Sequence, residues 1–176
     1  MSPRSDTRVS PRGRAVPRAA PFDAVLDTAF GKLGVRTEAD AVAEIAFLPD
    51  SVRACSPVGP LAKRACAQVE CYLREPDFRF HLPLQAVGTP FQRRVWDAIA
   101  AIPRGNTRSY GEIARDLGSA PRAVGQACGE NRFPLVIPCH RVVSASGVGG
   151  FAHRDGGYLL RIKRWLLAHE GVVPRS

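Results

Sequence analysis

At 176 residues, 45% of them hydrophobic, the chain is long enough to fold around a core, and its composition excludes an intrinsically disordered protein. Its 25 Lys and Arg against 16 Asp and Glu give a net charge of +9, which favours a polyanionic partner such as nucleic acid. Five cysteines are an odd number for a disulfide framework, and no apolar run approaches the length of a membrane span. We therefore expect a cytoplasmic protein that does not bind a membrane.

The beginning of the chain divides into a tail and a small domain. Residues 1–20 are rich in Pro, Arg, Ser and Ala and are predicted to form a disordered basic tail. Residues 21–83 are predicted to form an N-terminal mixed α/β domain. Apolar runs between short polar breaks predict its elements: strands over 22–30, 33–37, 42–48 and 78–82, and a helix over 57–73. Cys66 and Cys71 have no partner His at metal-ligand spacing, so we expect no metal site there.

The pattern becomes helical after a short break. Residues 84–88 are predicted to be a linker, and residues 89–176 a second, mostly helical domain. Thr89 is a residue type that caps helices, and Pro90 behind it is favoured at the first helical position. A helix is therefore expected from Pro90 to about Ile102.

Two shorter helices are predicted next. Ser109 and Glu112 form a capping box, in which each side chain satisfies a backbone amide at the start of a helix. That helix is expected to end at Gly118, and another to run from residue 119 or 120 to Gly129. Two short helices around a tight turn that contains glycine predict a helix-turn-helix.

A candidate nucleophile follows the helices. Cys139 lies between Pro138 and His140, after an apolar run and before two valines. A cysteine attacks as the thiolate, and a neighbouring imidazole can take the thiol proton. A Cys beside a His is also common by chance, so the pair alone leaves a structural role open.

Several segments together resemble the O6-alkylguanine-DNA alkyltransferase family. They are Gly88–Gln92 with Val95-Trp96, Ile102–Ala114, Arg122–Gly125, Gly129–Asn131, Ile137–Val143 and Leu166–Gly171. They occur densely and in the family's order, which chance does not supply. The resemblance implies an α+β fold: a small ribonuclease-H-like N-terminal domain, and a helical winged-helix or helix-turn-helix domain that binds DNA and carries the chemistry.

The resemblance also implies a function. The family repairs DNA directly, by an irreversible, single-use transfer of an alkyl group to a cysteine, here Cys139. The expected substrate is O6-alkylguanine in duplex DNA, and O4-alkylthymine as well. No metal or cofactor is expected, and the protein is expected to be monomeric.

The family's functional positions carry over to this chain residue by residue. The implied catalytic residues are Cys139, His140, Glu170, Asn131 and Tyr110. The implied substrate pocket comprises Tyr110, Cys128, Val142 and Phe151. The implied DNA contacts are Gln92, Gly111, Arg122, Ala123, Gly125, Ala127, Arg141 and Ala145.

Each of these positions has an implied task. His140 resembles the base that takes the thiol proton through a water, and Glu170 the carboxylate that orients the imidazole. The helix-turn-helix is expected in the minor groove, where small residues on its second helix permit close approach. Arg122 would enter the base stack while the damaged base is flipped out, or else contact a phosphate. Tyr110 would assist flipping and donate its phenol proton to the guanine ring.

The sequence departs from the family pattern after the nucleophile. The loop 147–157 is longer than the usual form, and Phe151 stands where the family has a pocket tyrosine. Arg132 stands where proline is common, which adds a charge that we expect beside the DNA. The range of accepted alkyl groups therefore does not carry over.

Two other classes of protein share parts of this pattern. A lesion-binding relative without activity lacks the cysteine, whereas Cys139 is present here. A helix-turn-helix regulator that senses redox state through Cys139 would need base-reading side chains on its second helix. Small residues at Ala123, Gly125 and Ala127 argue against that alternative.

Overall fold

The N-terminal part folds into an antiparallel sheet. The computed structural model describes residues 22–149 and 157–172, so the predicted tail at 1–20 lies outside the described ranges. Three strands pair in the order β1-β2-β3: β1 (Ala24–Thr28), β2 (Gly31–Glu38) and β3 (Ala41–Leu48). These three predicted strands are confirmed. The first ends two residues early, because Thr28 pairs with Gly31 and the chain turns through residues 29 and 30.

One helix packs on this sheet. It is α1 (Pro60–Arg74), which begins later than predicted because Pro60 fits the first helical turn. Its buried face consists of Ala62, Ala65, Cys66, Val69 and Tyr72. Cys66 thus belongs to the core, while Cys71 is half-buried.

The strand predicted over 78–82 does not form. The backbone at His81 instead bonds to α1, donating to Gln68 Oε1 at 2.8 Å and accepting from Gln68 Nε2 at 3.0 Å. Side chains of the helix therefore satisfy the groups that a neighbouring strand would otherwise pair. Pairing occurs further on, where Leu84 forms a single parallel bridge with Val42 of β3.

The C-terminal part is mostly helical, as predicted. Its helices are α2 (Pro90–Ala100), α3 (Tyr110–Leu117), α4 (Pro121–Gly129) and α5 (Tyr158–His169). A two-stranded parallel pair joins β4 (Arg108–Ser109) to β5 (Val142–Val143), and a 3-10 turn covers Cys139–Arg141. No helix among the described residues is long and apolar enough to cross a membrane.

The predicted caps of α2 and α3 are confirmed, while α2 ends at Ala100, earlier than expected, and α4 begins at Pro121, just after the expected start. Thr89 caps α2, where the Gln92 side chain completes a capping box. Ser109 and Glu112 cap α3 in the same way, and Gly118 ends α3 with a left-handed φ of 62°. Helices α3 and α4 therefore form the predicted helix-turn-helix pair.

The two parts of the chain share one hydrophobic core. A continuous cluster includes Phe30 of the sheet region, Tyr72 of α1, Ile99 of α2 and Leu166 of α5. Residues of the predicted linker are tied to the sheet as well, since Gln85 N donates to Val42 O at 2.9 Å. The site described next lies where α1, the 3-10 turn and α5 meet.

Candidate active site

Cys139 lies inside the protein on a tightly held turn. Cys139 is the first residue of the 3-10 turn, and it is 4% exposed. Asn131, just past the end of α4, donates from Nδ2 to Cys139 Sγ at 3.0 Å and to Ile137 O at 2.9 Å. Its Oδ1 accepts from Phe133 N at 2.9 Å. One amide therefore links the end of the second helix of the pair to the nucleophile turn.

The turn follows a strained residue. Leu135 is buried and has a φ of +74°, a left-handed conformation that costs a branched side chain of order 1 kcal/mol or more. Ile137 N, two residues on, bonds to Phe133 O at 2.8 Å and closes the loop around it. Such strain persists only where the surroundings fix the backbone, so the loop that leads to Cys139 is firmly held.

Three side chains near the nucleophile bond to the carboxylate of Glu170. It is 0% exposed and follows the last residue of α5. Arg141 binds it with two hydrogen bonds, each 2.9 Å long. His140 Nε2 and the Tyr72 hydroxyl each lie 2.9 Å from Oε1. Burial by itself would raise the pKa of Glu170, but the hydrogen bonds from His140 and Arg141 outweigh it and lower the pKa to about 2.

The protonation of His140 follows from these contacts. Burial lowers the pKa of His140, and the hydrogen bond and charge of Glu170 only partly offset it. The ring is therefore neutral near pH 7. Because Glu170 is ionised and can only accept, Nε2 carries the proton of the neutral ring. Nδ1 then has a free lone pair and can take a proton.

Cys139 is held as the thiol in the resting protein. A hydrogen bond with the Cys128 thiol and then burial raise the pKa of Cys139 well above its usual value. The hydrogen bond from Asn131 and the charge of Lys163 act in the opposite direction. The sulfur therefore needs a proton acceptor to become a strong nucleophile.

The exposed part of the site is the helix pair. Tyr110 is the first residue of α3 and is half-buried, while Arg122, in the first turn of α4, is exposed. Gly125 lies over the Tyr110 ring, where an added Cβ would meet the ring carbons at 4.0 Å. The small residues at this helix surface leave room for a close ligand.

Comparison with known proteins agrees with this arrangement. Residues 90–172 match the family model described as the DNA binding domain of 6-O-methylguanine DNA methyltransferase. The methylated-DNA–protein-cysteine methyltransferase of Methanosarcina acetivorans is 42% identical over 112 residues, which are 62% of this chain and 69% of that protein. The chain belongs to the O6-methylguanine-DNA methyltransferase family.

Two further relatives show how far the similarity extends. The Salmonella typhimurium methyltransferase is 51% identical over 89 residues, 49% of this chain and 49% of that protein, so the match spans about half its length. The crystal structure of Mycobacterium tuberculosis OGT in complex with DNA superposes with a TM-score of 0.69 at 34% identity. It covers 84% of this chain and 91% of that chain, so the fold is similar across both parts.

The structure places two pairs of the implied catalytic residues of this methyltransferase family member in direct contact. His140 meets Glu170 directly, Asn131 meets Cys139, and Tyr110 lies 5.9 Å from Lys163 Nζ, measured to the ring centroid. Of the implied pocket residues, Val142 is buried and Cys128 half-buried. Phe151 lies outside the described residues.

Some implied DNA contacts have other partners here. Ala127, implied as a DNA contact, is 2% exposed, and its carbonyl accepts the indole N–H of Trp96 at 2.8 Å. It therefore packs α4 on α2. Arg141 holds Glu170 and donates from Nη1 to Ile102 O at 2.6 Å, and Gln92 serves the capping box of α2.

The remaining implied DNA contacts lie at or near the surface. Ala145 is exposed, and Gly111 and Ala123 are half-buried. Arg132 lies towards the sheet, with its guanidinium 3.9 Å from Glu44 and its carbonyl accepting from Ile45 N at 2.8 Å. This placement differs from the expectation of a charge beside DNA.

Sequence reasoning missed Lys163. It is 0% exposed, and its Nζ donates to Val142 O at 2.7 Å. Burial lowers the pKa of Lys163 to about 8, against the opposing charges of Cys128 and Cys139. The sequence did contain a sign of this role: Lys163 lies four residues after Leu159, on the apolar face of α5. A charge on an apolar helix face needs a partner inside the protein.

Sequence reasoning also missed Tyr72 and Arg104. Arg104 Nη1 donates to the backbone carbonyl of Glu170 at 3.2 Å, which fixes the end of α5. Tyr72 belongs to the N-terminal part, and no local pattern connects it with a residue 98 positions later.

Proposed function

We propose that this chain repairs alkylated DNA directly, by moving an alkyl group from guanine O6 in duplex DNA to Cys139 Sγ. O4-alkylthymine is a second substrate of the same chemistry. The observation that carries the proposal is a buried thiol followed directly in the chain by a neutral imidazole, whose Nε2 is held 2.9 Å from an ionised carboxylate. The relatives' names, which describe methyl transfer from DNA to a protein cysteine, support it.

The chemical step is a displacement at the alkyl carbon. His140 Nδ1 takes the proton of the Cys139 thiol through a water, and the thiolate attacks the carbon bound to O6. The carbon–sulfur bond forms as the carbon–oxygen bond breaks, and its electron pair stays on the guanine. Tyr110 donates its phenol proton to the ring, which leaves as ordinary guanine. The His140 proton then returns to Tyr110 through solvent, so protons balance.

Lys163 supplies the charge for this step. The ammonium acts on Cys139 and Cys128, and it lies 5.9 Å from the Tyr110 ring centroid. A buried positive charge stabilises a developing thiolate more strongly than an exposed one does, because little water screens it.

Binding requires that the damaged base leave the stack. Cys139 is buried at the inner end of the site, so a base inside the duplex cannot reach the sulfur. The pair α3–α4 would enter the minor groove, with Arg122 filling the space of the flipped base. A relative that was crystallised with DNA supports this partner. A ribonuclease-H-like and a winged-helix character of the two parts, a monomeric state and a cytoplasmic location belong to the same proposal.

The reaction is used once per molecule. A thioether to a saturated carbon has no easy route to hydrolysis, so the alkylated Cys139 does not return to the thiol. Repair should therefore stop when the amount of lesion removed equals the amount of protein.

That stoichiometry is the test. A duplex with one O6-methylguanine is mixed in excess with the protein, and the remaining lesion is measured by chromatography of the hydrolysed DNA. We expect one lesion lost per protein molecule, none with Cys139→Ala, and a normal loss with Cys71→Ala, a half-buried thiol on α1. Continued loss beyond one equivalent, or equal loss with Cys139→Ala, would contradict the proposal.

A further inference from the structure

Tyr72 reaches the active site from the other half of the molecule. It lies on α1, in the part of the chain that the mechanism above does not use. Its hydroxyl donates to Glu170 Oε1 at 2.9 Å, the same oxygen that accepts a hydrogen bond from His140 Nε2. Tyr72 is 2% exposed, so this contact lies inside the core.

We propose that Tyr72 is a positioning residue for nucleophile activation, because its hydroxyl holds Glu170 where that carboxylate fixes the His140 ring. The inference rests on the function proposed above. It gives the N-terminal part a share in the chemistry that its position in the sequence does not suggest.

The Tyr72 ring is itself well held. The Phe80 ring lies 5.7 Å from it between centroids, and the His169 ring packs edge-on at 5.3 Å. His169 Nε2 also bonds to the Tyr72 carbonyl at 2.9 Å, which joins α1 to α5 next to Glu170. The hydroxyl is thus fixed by packing on both sides and by the helix that carries it.

The hydroxyl acts only as a donor. Burial, followed by the charge of Glu170, raises the pKa of Tyr72 far above its usual range. The phenol therefore stays protonated around neutral pH. Its hydrogen bond favours the ionised carboxylate, as does the pair of bonds from Arg141.

Removal of this donor changes the proton balance of the site. A carboxylate that has lost one hydrogen bond attracts the His140 proton more strongly, so the pKa of His140 rises. A protonated His140 cannot accept the thiol proton, so transfer slows on the acid side, where the raised pKa leaves more of the ring charged. The other charged or titratable groups around this pair are Arg141, Lys163, His169 and, on the Glu170 carbonyl, Arg104.

The experiment compares wild type with Tyr72→Phe, which removes only the hydroxyl. Single-turnover transfer from an O6-methylguanine duplex is measured from about pH 5 to about pH 9. We expect the acid limb of the rate to move up by roughly one pH unit, a rate about tenfold lower on that limb, and a return to the wild-type rate at higher pH. DNA affinity should not change, because Tyr72 is buried away from the helix pair.

Two controls separate positioning from loss of structure. Phe80→Leu loosens the packing of the same ring but keeps the hydroxyl, so it should lower the melting temperature and leave the pH profile in place. The second control is an NMR titration of His140, assigned with His140→Gln, which does not depend on alkyl transfer. The His140 pKa should be higher in Tyr72→Phe than in wild type.

The outcomes are distinct. A Tyr72→Phe protein that is slower by the same factor at every pH, with an unchanged His140 titration, overturns the inference. If wild type fails to take up the alkyl group, the proposed function fails, while the NMR comparison still decides the role of Tyr72.

Discussion

The buried network around Glu170 and the exposed helix pair α3–α4 hold their functional side chains in opposite ways. Arg122 is placed by its own helix, whose start is set by Pro121 and whose partner ends at the left-handed Gly118. Glu170, by contrast, meets His140 from 30 residues away and Tyr72 from 98 residues away. A surface fixed by local signals tolerates substitution, whereas a network closed by distant residues fails as a unit.

Glu170→Gln should show that failure most strongly. An amide cannot hold the charge that pairs with Arg141, and it leaves a buried guanidinium without its anion. We expect a loss of about 3–5 kcal/mol in the free energy of unfolding, measured by urea denaturation. The matched change Glu112→Gln, in the exposed capping box of α3, should lower the free energy of unfolding far less, because a Gln side chain can still accept from the Ser109 amide.

Transfer by Glu170→Gln tests the same network functionally. Without the carboxylate the imidazole loses its orientation, and single-turnover transfer should fall at least about a hundredfold. A folded Glu170→Gln protein that transfers at the wild-type rate would show that the buried network is not needed for the reaction. It would contradict the contrast drawn here between the network and the helix pair.

The network also predicts how stability depends on pH. The folded pKa of Glu170 is about 2, below the value of 4.5 for an unperturbed glutamate, and the folded pKa of His140 is also lowered. The unfolded chain therefore binds more protons as the pH falls, so stability is present above about pH 6.5 and decreases below it. Glu170 alone accounts for up to about 3 kcal/mol between about pH 5 and about pH 2.

That dependence is measured by urea denaturation across the acid range. Below pH 4.5 the free energy of unfolding should fall less steeply with decreasing pH in Glu170→Gln, because this variant has lost the group that titrates. An unchanged slope would assign acid unfolding to other carboxyls and contradict the account.

Lys163→Met should separate stability from activity. The folded pKa of Lys163 is about 8, below the usual 10.5, so the protonated amine is held in the fold at a cost below pH 8. An apolar side chain of similar length should raise the free energy of unfolding by about 1 kcal/mol and slow transfer about tenfold. Lys63→Met, on the exposed face of α1, is the control and should change neither quantity. A slower protein that is also less stable would instead give Lys163 a mainly structural role.

Arg122→Ala should have the smallest effect on the fold and act only on DNA. We expect about tenfold weaker binding and slower repair in duplex DNA, with the melting temperature unchanged. Arg115→Ala removes an equally exposed charge from α3 and should act only through salt-dependent binding. If the two variants behave alike in repair, Arg122 is a phosphate contact and does not enter the stack.

The sequence predicted the helix pair better than it predicted the network, for a physical reason. Caps, prolines and a left-handed glycine act within a few residues, so α3 and α4 could be placed from Ser109, Pro121 and Gly118. The strand expected over 78–82 failed because side chains of α1 satisfy that backbone, which is a tertiary effect.

The same limit applies to the site. The resemblance gave Cys139, His140 and Glu170, and the structure puts the last two in contact. No local rule could show that Tyr72 and Lys163 complete their surroundings. Arg141, expected to contact DNA, instead points inward and binds Glu170. A buried carboxylate without a cation would be costly, whereas a position at the surface has no such requirement.

The most direct test of the central claim is the location of the alkyl group after the reaction. The protein is incubated with a duplex that carries O6-methylguanine, and its intact mass and peptides are measured by mass spectrometry. We predict a gain of one methylene per molecule, found on the peptide that contains Cys139. An unchanged mass, or a methyl group on Cys128 or another residue, would contradict the account.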